Sequence, residues 1–231
     1  MENKFVEGEI ILIDKPLYWT SFNVVKRVGN IIKKRYNIKK LKVGHAGTLD
    51  PLATGLLVIC TGRKTKEIST FQDSIKEYIA SIEFGKTTPS YDLETKFDGV
   101  FPFDHIKIDL IKDKLKKFIG EISQVPPLYS AKFIDGRRAY KLARKGSNIV
   151  LQPNKVTIKE LEIIEFTPPE LVIRIVCSKG TYIRALAYDI GKALNSGAYL
   201  KSLRRTISGM FQIKDALNID EFQENLFSLQ P

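Results

Sequence analysis

Residues 155–177 read KVTIKELEIIEFTPPELVIRIVC, and this stretch decides the class of fold. Two runs rich in β-branched residues, Lys155 to Phe166 and Leu171 to Cys177, flank Thr167-Pro168-Pro169-Glu170. Proline fixes φ and has no N–H to give to a ladder, so the four flanked residues read as a turn and the runs as an antiparallel pair. The rest of the chain alternates helices and strands irregularly, so the pattern predicts an α+β fold with a mixed or antiparallel sheet, not a doubly wound parallel one.

Downstream, Thr181 is placed to cap a helix through Leu194, with Ile183, Leu186, Ala187, Ile190 and Leu194 inward. A strand over about Leu203–Phe211 and a helix over about Glu221–Phe227 follow. Upstream, Arg137–Lys145 reads as a short basic helix ended by Gly146, and Pro126-Pro127 breaks the chain. Asp104 is placed to cap a helix that turns Ile108, Ile111, Leu115, Phe118 and Ile119 inward and closes at Gly120. Lys86 to Asp104 has no periodicity and reads as loop. Tyr78, Ala80, Ile82 and Phe84 share one strand face. Lys64–Phe71 suits a short helix, Leu56–Thr61 a buried strand, and Gly8–Ile13 another. Between them Ser21 is placed to cap a helix to about Tyr36, with Val24, Val25, Val28, Ile31 and Ile32 on one face.

The chain has 231 residues, 43% hydrophobic and 27% charged, which is enough to build a core and excludes global disorder. No window of 18 uncharged apolar residues exists, and the acidic N-terminal stretch with Glu2, Glu7, Glu9 and Asp14 is not a secretory signal. The expected location is cytoplasmic, with no membrane partner. Cys60 and Cys177 lie in apolar runs and read as reduced core residues. With two cysteines, two histidines and no CxxC, no metal site is expected.

Lys+Arg is 37 against Asp+Glu 26, a formal charge of +11. The surplus falls in clusters: Lys33-Lys34-Arg35, Lys39-Lys40, Arg63-Lys64 with Lys66, Arg137-Arg138, Arg144-Lys145 and Arg204-Arg205. Such a surplus serves a polyanion through long-range attraction, or serves solubility alone; charge does not choose between them. Chemistry is narrowed by elimination. GxxxxGK[ST] and GxGxxG are absent, so no nucleotide cradle is visible, and GxSxG is absent too. What remains is the glycine-punctuated segment Gly44-His45-Ala46-Gly47-Thr48-Leu49-Asp50-Pro51-Leu52-Ala53-Thr54-Gly55. By itself its Asp50-Pro51 step reads as a turn, and His45 as a packing residue.

That segment resembles the catalytic loop of the TruB family of tRNA pseudouridine synthases. Four more segments match in order: Leu12-Ile13-Asp14-Lys15-Pro16, Lys76-Glu77-Tyr78, Pro126-Pro127-Leu128-Tyr129-Ser130-Ala131-Lys132, and Cys177-Ser178-Lys179-Gly180-Thr181-Tyr182-Ile183-Arg184. Five segments in order, over roughly residues 8 to 213, make the resemblance specific. It implies a pseudouridine-synthase-like fold, a mixed, mainly antiparallel sheet flanked by helices and loops. It also implies isomerisation of uridine 55 in the T loop of tRNA. The N1–C1′ bond breaks, the uracil turns, and C5 joins C1′. Nothing is oxidised and no group is imported, so no cofactor is expected. One carboxylate suffices, acting at the sugar as nucleophile or base, and the resemblance gives that role to Asp50.

The other roles follow from the same matches. Arg184 is the arginine that pairs with the aspartate, which would favour its ionised form. Taken alone, Arg184 reads as a surface residue in a first helical turn, where a cation is disfavoured without a partner. Tyr78 is the tyrosine that stacks on the extruded uracil; on periodicity alone it is a core aromatic. Tyr182 lines the uracil pocket. His45 fills the space left by the flipped base, since a uridine inside a folded T loop must be everted before its C1′ is reachable. Lys15 supports the active site, and Lys66 and Lys132 lie near the RNA. Thr87-Thr88-Pro89-Ser90-Tyr91-Asp92 only loosely resembles the family's Thr/Asp-rich stretch, so no role is given to Asp92. The 18 residues beyond Ile213 are too few for the C-terminal RNA-binding PUA domain of many bacterial members, so a single catalytic domain over 1–231 is expected, as a monomer. Two other readings share the basic surface. One is a protein that remodels the tRNA elbow without chemistry. The other is a synthase acting on another RNA with a T-loop-like hairpin.

Overall fold

The computed structural model describes residues 3–129, 133–134, 137–138 and 151–228. The chain divides into two compact units, Met1–Tyr78 with Arg204–Pro231, and Ile79–Leu203. The boundaries fall inside two strands, β4 (Lys76–Phe84) and β12 (Ala198–Ser208).

In the first unit β1 (Ile10–Lys15) runs antiparallel to β3 (Ala53–Thr61), with Ile10 opposite Cys60 and Lys15 opposite Gly55. β2 (Val43–His45) pairs with β3 and β13 (Phe211–Gln212) with β12, both antiparallel. The strand order is β1-β3-β12. Leu56 to Cys60 are all fully buried because both faces of β3 are covered. Leu57 and Ile59 join Ile11 and Ile13 in a core with Phe5 of α1 (Lys4–Glu7) and Val24, Val28, Ile31 and Ile32 of α2 (Ser21–Tyr36). The last helix of the chain (Ile219–Ser228) adds Ile219, Phe222 and Leu226 to the same core. Leu56 and Val58 turn the other way, towards Ala46 and the half-buried Ile68, Phe71 and Phe211. Lys64–Phe71 is a 3-10 turn over Gly62–Glu67 followed by the short α3 (Ile68–Gln72).

In the second unit, with β7 (Gly120–Gln124), β10 (Asn154–Thr167) and β11 (Glu170–Cys177), the order is β12-β4-β11-β10-β7. β10 and β11 form the expected hairpin, with Thr167 opposite Glu170. β11 alternates strictly: Leu171, Ile173, Ile175 and Cys177 are buried, while Arg174 faces out and bonds Glu160 and Glu162. β7 pairs antiparallel with β10. α4 (Ile108–Leu115) and α5 (Ile183–Ala193) are the helices described in this unit. The fold is thus the mixed, mainly antiparallel α+β arrangement expected, and Cys60 and Cys177 are both fully buried.

Several boundaries differ from expectation. Thr20, not Ser21, caps α2: its Oγ1 accepts from the Asn23 N–H, and the Asn23 side chain accepts from the Thr20 N–H. The Ser21 hydroxyl is engaged elsewhere, as shown below. α4 starts from an extended Lys107, and Asp104 lies three residues too early to cap it. Ile119 is half exposed, because the helix tightens into a 3-10 turn at Lys116–Phe118 and gives way to strand. α5 begins after Tyr182; the Thr181 hydroxyl donates back to the Ser178 carbonyl instead of capping. Arg137 and Arg138 form a two-residue strand, β9, paired with β8 (Phe133–Ile134), so no helix starts at 137; the remainder of that expected helix lies outside the described residues. Lys86 and Thr87 (β5) pair with Gly99 and Val100 (β6), a short ribbon within the stretch read as loop.

Candidate active site

In the first unit the glycine-punctuated segment leaves β2, turns at Asp50 and enters β3 at Ala53. The Ala53 N–H donates to the Asp50 carbonyl at 3.0 Å, closing the turn that the Asp-Pro step implied. The residue before it is clamped. Ser21 Oγ donates to the Leu49 carbonyl at 3.1 Å and accepts from the Leu49 N–H at 2.9 Å, both groups buried. The Tyr18 N–H donates to the Pro51 carbonyl at 2.8 Å. Asp50 is therefore held by its backbone on both sides, while the residue itself stays half-buried.

Two buried cations are bonded to the backbone of this segment and its surroundings. Lys15, fully buried at the end of β1, donates from Nζ to the carbonyls of Trp19 (2.6 Å), Pro16 (2.8 Å) and Pro51 (3.5 Å). Loss of solvent pushes its pKa down to about 8; the Asp50 carboxylate opposes the shift, the Arg205 guanidinium adds to it, and Asp14 opposes it. Arg205, 1% exposed, donates from Nε to the Leu56 carbonyl at 2.8 Å and from Nη2 to the Gly47 carbonyl at 3.1 Å. Gly55 holds φ +101°, and a Cβ there would lie 2.3 Å from the Arg205 carbonyl oxygen, so only glycine lets these backbones approach. Next to it Arg204 grips Asp14 with two bonds, of 2.6 and 3.1 Å.

His45 sits on β2. Burial, with the Arg205 charge, holds its pKa below the ordinary imidazole value, against a bond to the Gly47 backbone, so it is neutral at neutral pH. Its Nδ1 is buried and has no hydrogen-bond partner. Tyr78 lies on β4, 9% exposed. Lys66 is exposed on the 3-10 turn, and Lys132 lies outside the described residues.

In the second unit Tyr182 and Arg184 open α5. The Gln124 side chain brackets Tyr182, accepting from its N–H at 2.8 Å and donating to its carbonyl at 3.1 Å. Arg184 is 3% exposed and donates to the carbonyls of Ser90 (3.1 Å) and Tyr129 (3.0 Å). Its Nη1 also lies 3.6 Å from Asp92 Oδ2. Asp92 is 3% exposed, and its carbonyl accepts from the hydroxyls of Thr88 and Ser90. The Thr/Ser/Asp stretch given no role in the sequence is a hydrogen-bonded knot that seats a carboxylate against Arg184.

The structure thus places Lys15 and Asp50 within electrostatic reach in one unit, and Tyr182 and Arg184 together in the other. It adds Ser21, Arg205, Asp92 and Gln124. Arg205 belongs by sequence to a basic cluster, but its burial and its bond to the Gly47 carbonyl take it out of the charged surface. No cluster of three or more potential metal ligands occurs among the described residues.

Sequence comparison identifies the family. A family profile described as TruB family pseudouridylate synthase, N-terminal domain, matches residues 33–183, and one described as tRNA pseudouridylate synthase B C-terminal domain matches 184–230. The chain belongs to the TruB family. It is accordingly a pseudouridine-forming enzyme. TruB-family relatives in Phocaeicola vulgatus and Flavobacterium johnsoniae, both named tRNA pseudouridine synthase B, are 53% and 52% identical over 220 and 224 residues. The alignments cover 95% and 96% of this chain and 94% and 98% of those proteins. Among solved structures, a chain of a Cbf5-Nop10-Gar1 complex aligns with TM-score 0.71 and 28% identity over 95% of this chain. This chain spans 54% of that longer one.

Proposed function

We propose that this enzyme converts uridine 55 in the T loop of tRNA to pseudouridine, with Asp50 as the catalytic residue. The observation that carries the reading is the Asp50 turn: a half-buried carboxylate, held on both sides through its backbone, within electrostatic reach of a buried ammonium. The tRNA substrate is supported by the names of relatives that align over almost the whole chain.

The target uridine is everted, at a cost of a few kcal/mol, and its sugar is presented to Asp50. The carboxylate acts at the ribose while the N1–C1′ bond breaks. The uracil turns, C5 joins C1′, the C5 proton leaves, and a proton is taken up at N1. No oxidant, group donor or metal enters this balance. His45, neutral and hydrogen-bonded to the Gly47 backbone, suits the role of filling the vacated stack. Tyr78 and Tyr182 take the roles that the family resemblance assigns them, Arg184 acts by holding the Ser90, Asp92 and Tyr129 loops of its own unit, and Lys66 and Lys132 serve RNA binding.

Mapping pseudouridine in total RNA from cells lacking the gene tests the site. Loss confined to tRNA position 55 is the expected result. Retention there, or loss only in other structured RNAs, refutes the assignment.

A further inference from the structure

Beside the Asp50 turn lies a surface that the chemistry above does not use. Tyr18 has φ +66°, in the left-handed region, and is 75% exposed. That conformation is unfavourable for a bulky residue, and a ring so exposed gains little from packing, so core formation does not account for a tyrosine here. The fold nevertheless fixes its position. Its N–H is bonded to the Pro51 carbonyl, and the next carbonyl, of Trp19, accepts from buried Lys15.

Tyr18 also borders a cleft of about 340 Å³, whose other walls are Trp19, Asn23, Lys26, Arg27 and Asn30. The last four stand at spacings of three and four on α2 and so share one helix face. The volume falls at the lower end of the roughly 300–1,000 Å³ usual for small-molecule sites. Its lining joins an open aromatic face, two cations and two side-chain amides. That is the chemistry of a nucleotide: a base for the ring, a phosphate for Lys26 and Arg27, base or sugar edges for the amides. The +11 charge of the chain favours an anionic occupant over an apolar peptide.

We propose that this cleft binds an unpaired nucleotide of the substrate RNA, next to the one presented to Asp50, with its base stacked on Tyr18 and its phosphate held by Lys26 and Arg27. The proposal rests on the reading of the enzyme as acting on a T-loop RNA.

A T-arm hairpin RNA titrated into the full chain tests it, and Trp19, the single tryptophan, reports binding by its emission. Tyr18→Gly suits the positive φ, so its Tm should equal or exceed that of the parent. Its affinity should fall about tenfold, as for loss of one base–aromatic stack, with the salt dependence unchanged. Tyr18→Phe should bind within about twofold of the parent, because the ring face is kept. Lys26→Gln should lower the salt slope by about one unit. Parent-like affinity of Tyr18→Gly, or an equal loss in Tyr18→Phe, overturns the proposal. The two readings fail separately. Binding through Tyr18 without pseudouridine formation refutes the reaction and leaves the cleft. Pseudouridine formation with an unchanged KM in Tyr18→Gly refutes the cleft and leaves the reaction.

Discussion

The Asp50 turn and the Arg184–Asp92 cluster each position an ionisable side chain, but by opposite means. Around Asp50 the buried, bonded groups are its neighbours. Ser21 clamps Leu49, Lys15 and the Tyr18 N–H meet Pro51, and Arg205 holds Gly47, while the aspartate itself stays half-buried. Around Arg184 the charged side chain is itself sealed, against two carbonyls and a carboxylate that is equally buried. A group that must meet a substrate is made rigid through its backbone and left reachable. A group that holds loops together spends its donors on the protein. Substitution should therefore cost chemistry at the first and folding at the second.

Stability measurements can break that contrast. Arg184→Ala leaves the Asp92 carboxylate buried without its counter-charge and should lower unfolding free energy by about 3–5 kcal/mol in urea titration. Asp50→Asn keeps the shape of a half-buried side chain and removes the carboxylate that favours the Lys15 ammonium, and should cost about 1 kcal/mol. Equal losses at the two positions would end the distinction. A double-mutant cycle between 184 and 92 sharpens it, with an expected coupling of about 0.5–3 kcal/mol.

Next in size is the clamp. Ser21→Ala strands the Leu49 N–H and carbonyl in a buried place and should cost about 1–3 kcal/mol. Because Thr20 caps α2, helix content should not change, and the loss should appear as faster hydrogen exchange at the Leu49 amide. Unchanged exchange would mean that the turn is held some other way.

The remaining effect is a slope with pH. The folded pKa of Lys15, about 8, lies below its ordinary value of 10.5. Between those values the unfolded chain binds the extra proton, so Lys15 makes stability rise with pH across that window and adds no slope below it. Cys60, whose thiol burial pushes up to about 11, acts in the opposite sense at the alkaline end, which makes the difference from Lys15→Met the informative quantity. The parent-minus-variant difference should climb from pH 8 to 10.5; a flat difference would mean that Lys15 is not desolvated.

The sequence was most readable where neighbours in the chain do the work. The 155–177 hairpin follows from two β-branched runs around a proline turn, and the Asp50 turn from one Asp-Pro step in a glycine-punctuated segment. It was least readable where the partner is far along the chain. Nothing beside Arg205 says that it will be buried and bonded to the Gly47 carbonyl, some 158 positions away; its arginine neighbour made it look like surface. Ser21 reads as a helix cap by local rules, yet its hydroxyl is taken by Leu49, 28 residues on, and the cap passes to Thr20. Asp92 and Gln124 carried no local signal, because each acquires its role only when α5 is delivered to it.

The most direct test of the central claim is tritium release from a tRNA transcript labelled at uridine C5. The parent chain should release the equivalent of one uridine per tRNA. Asp50→Asn should bind the same tRNA with parental affinity and release none. Release by Asp50→Asn at the parental rate would contradict the assignment of the carboxylate.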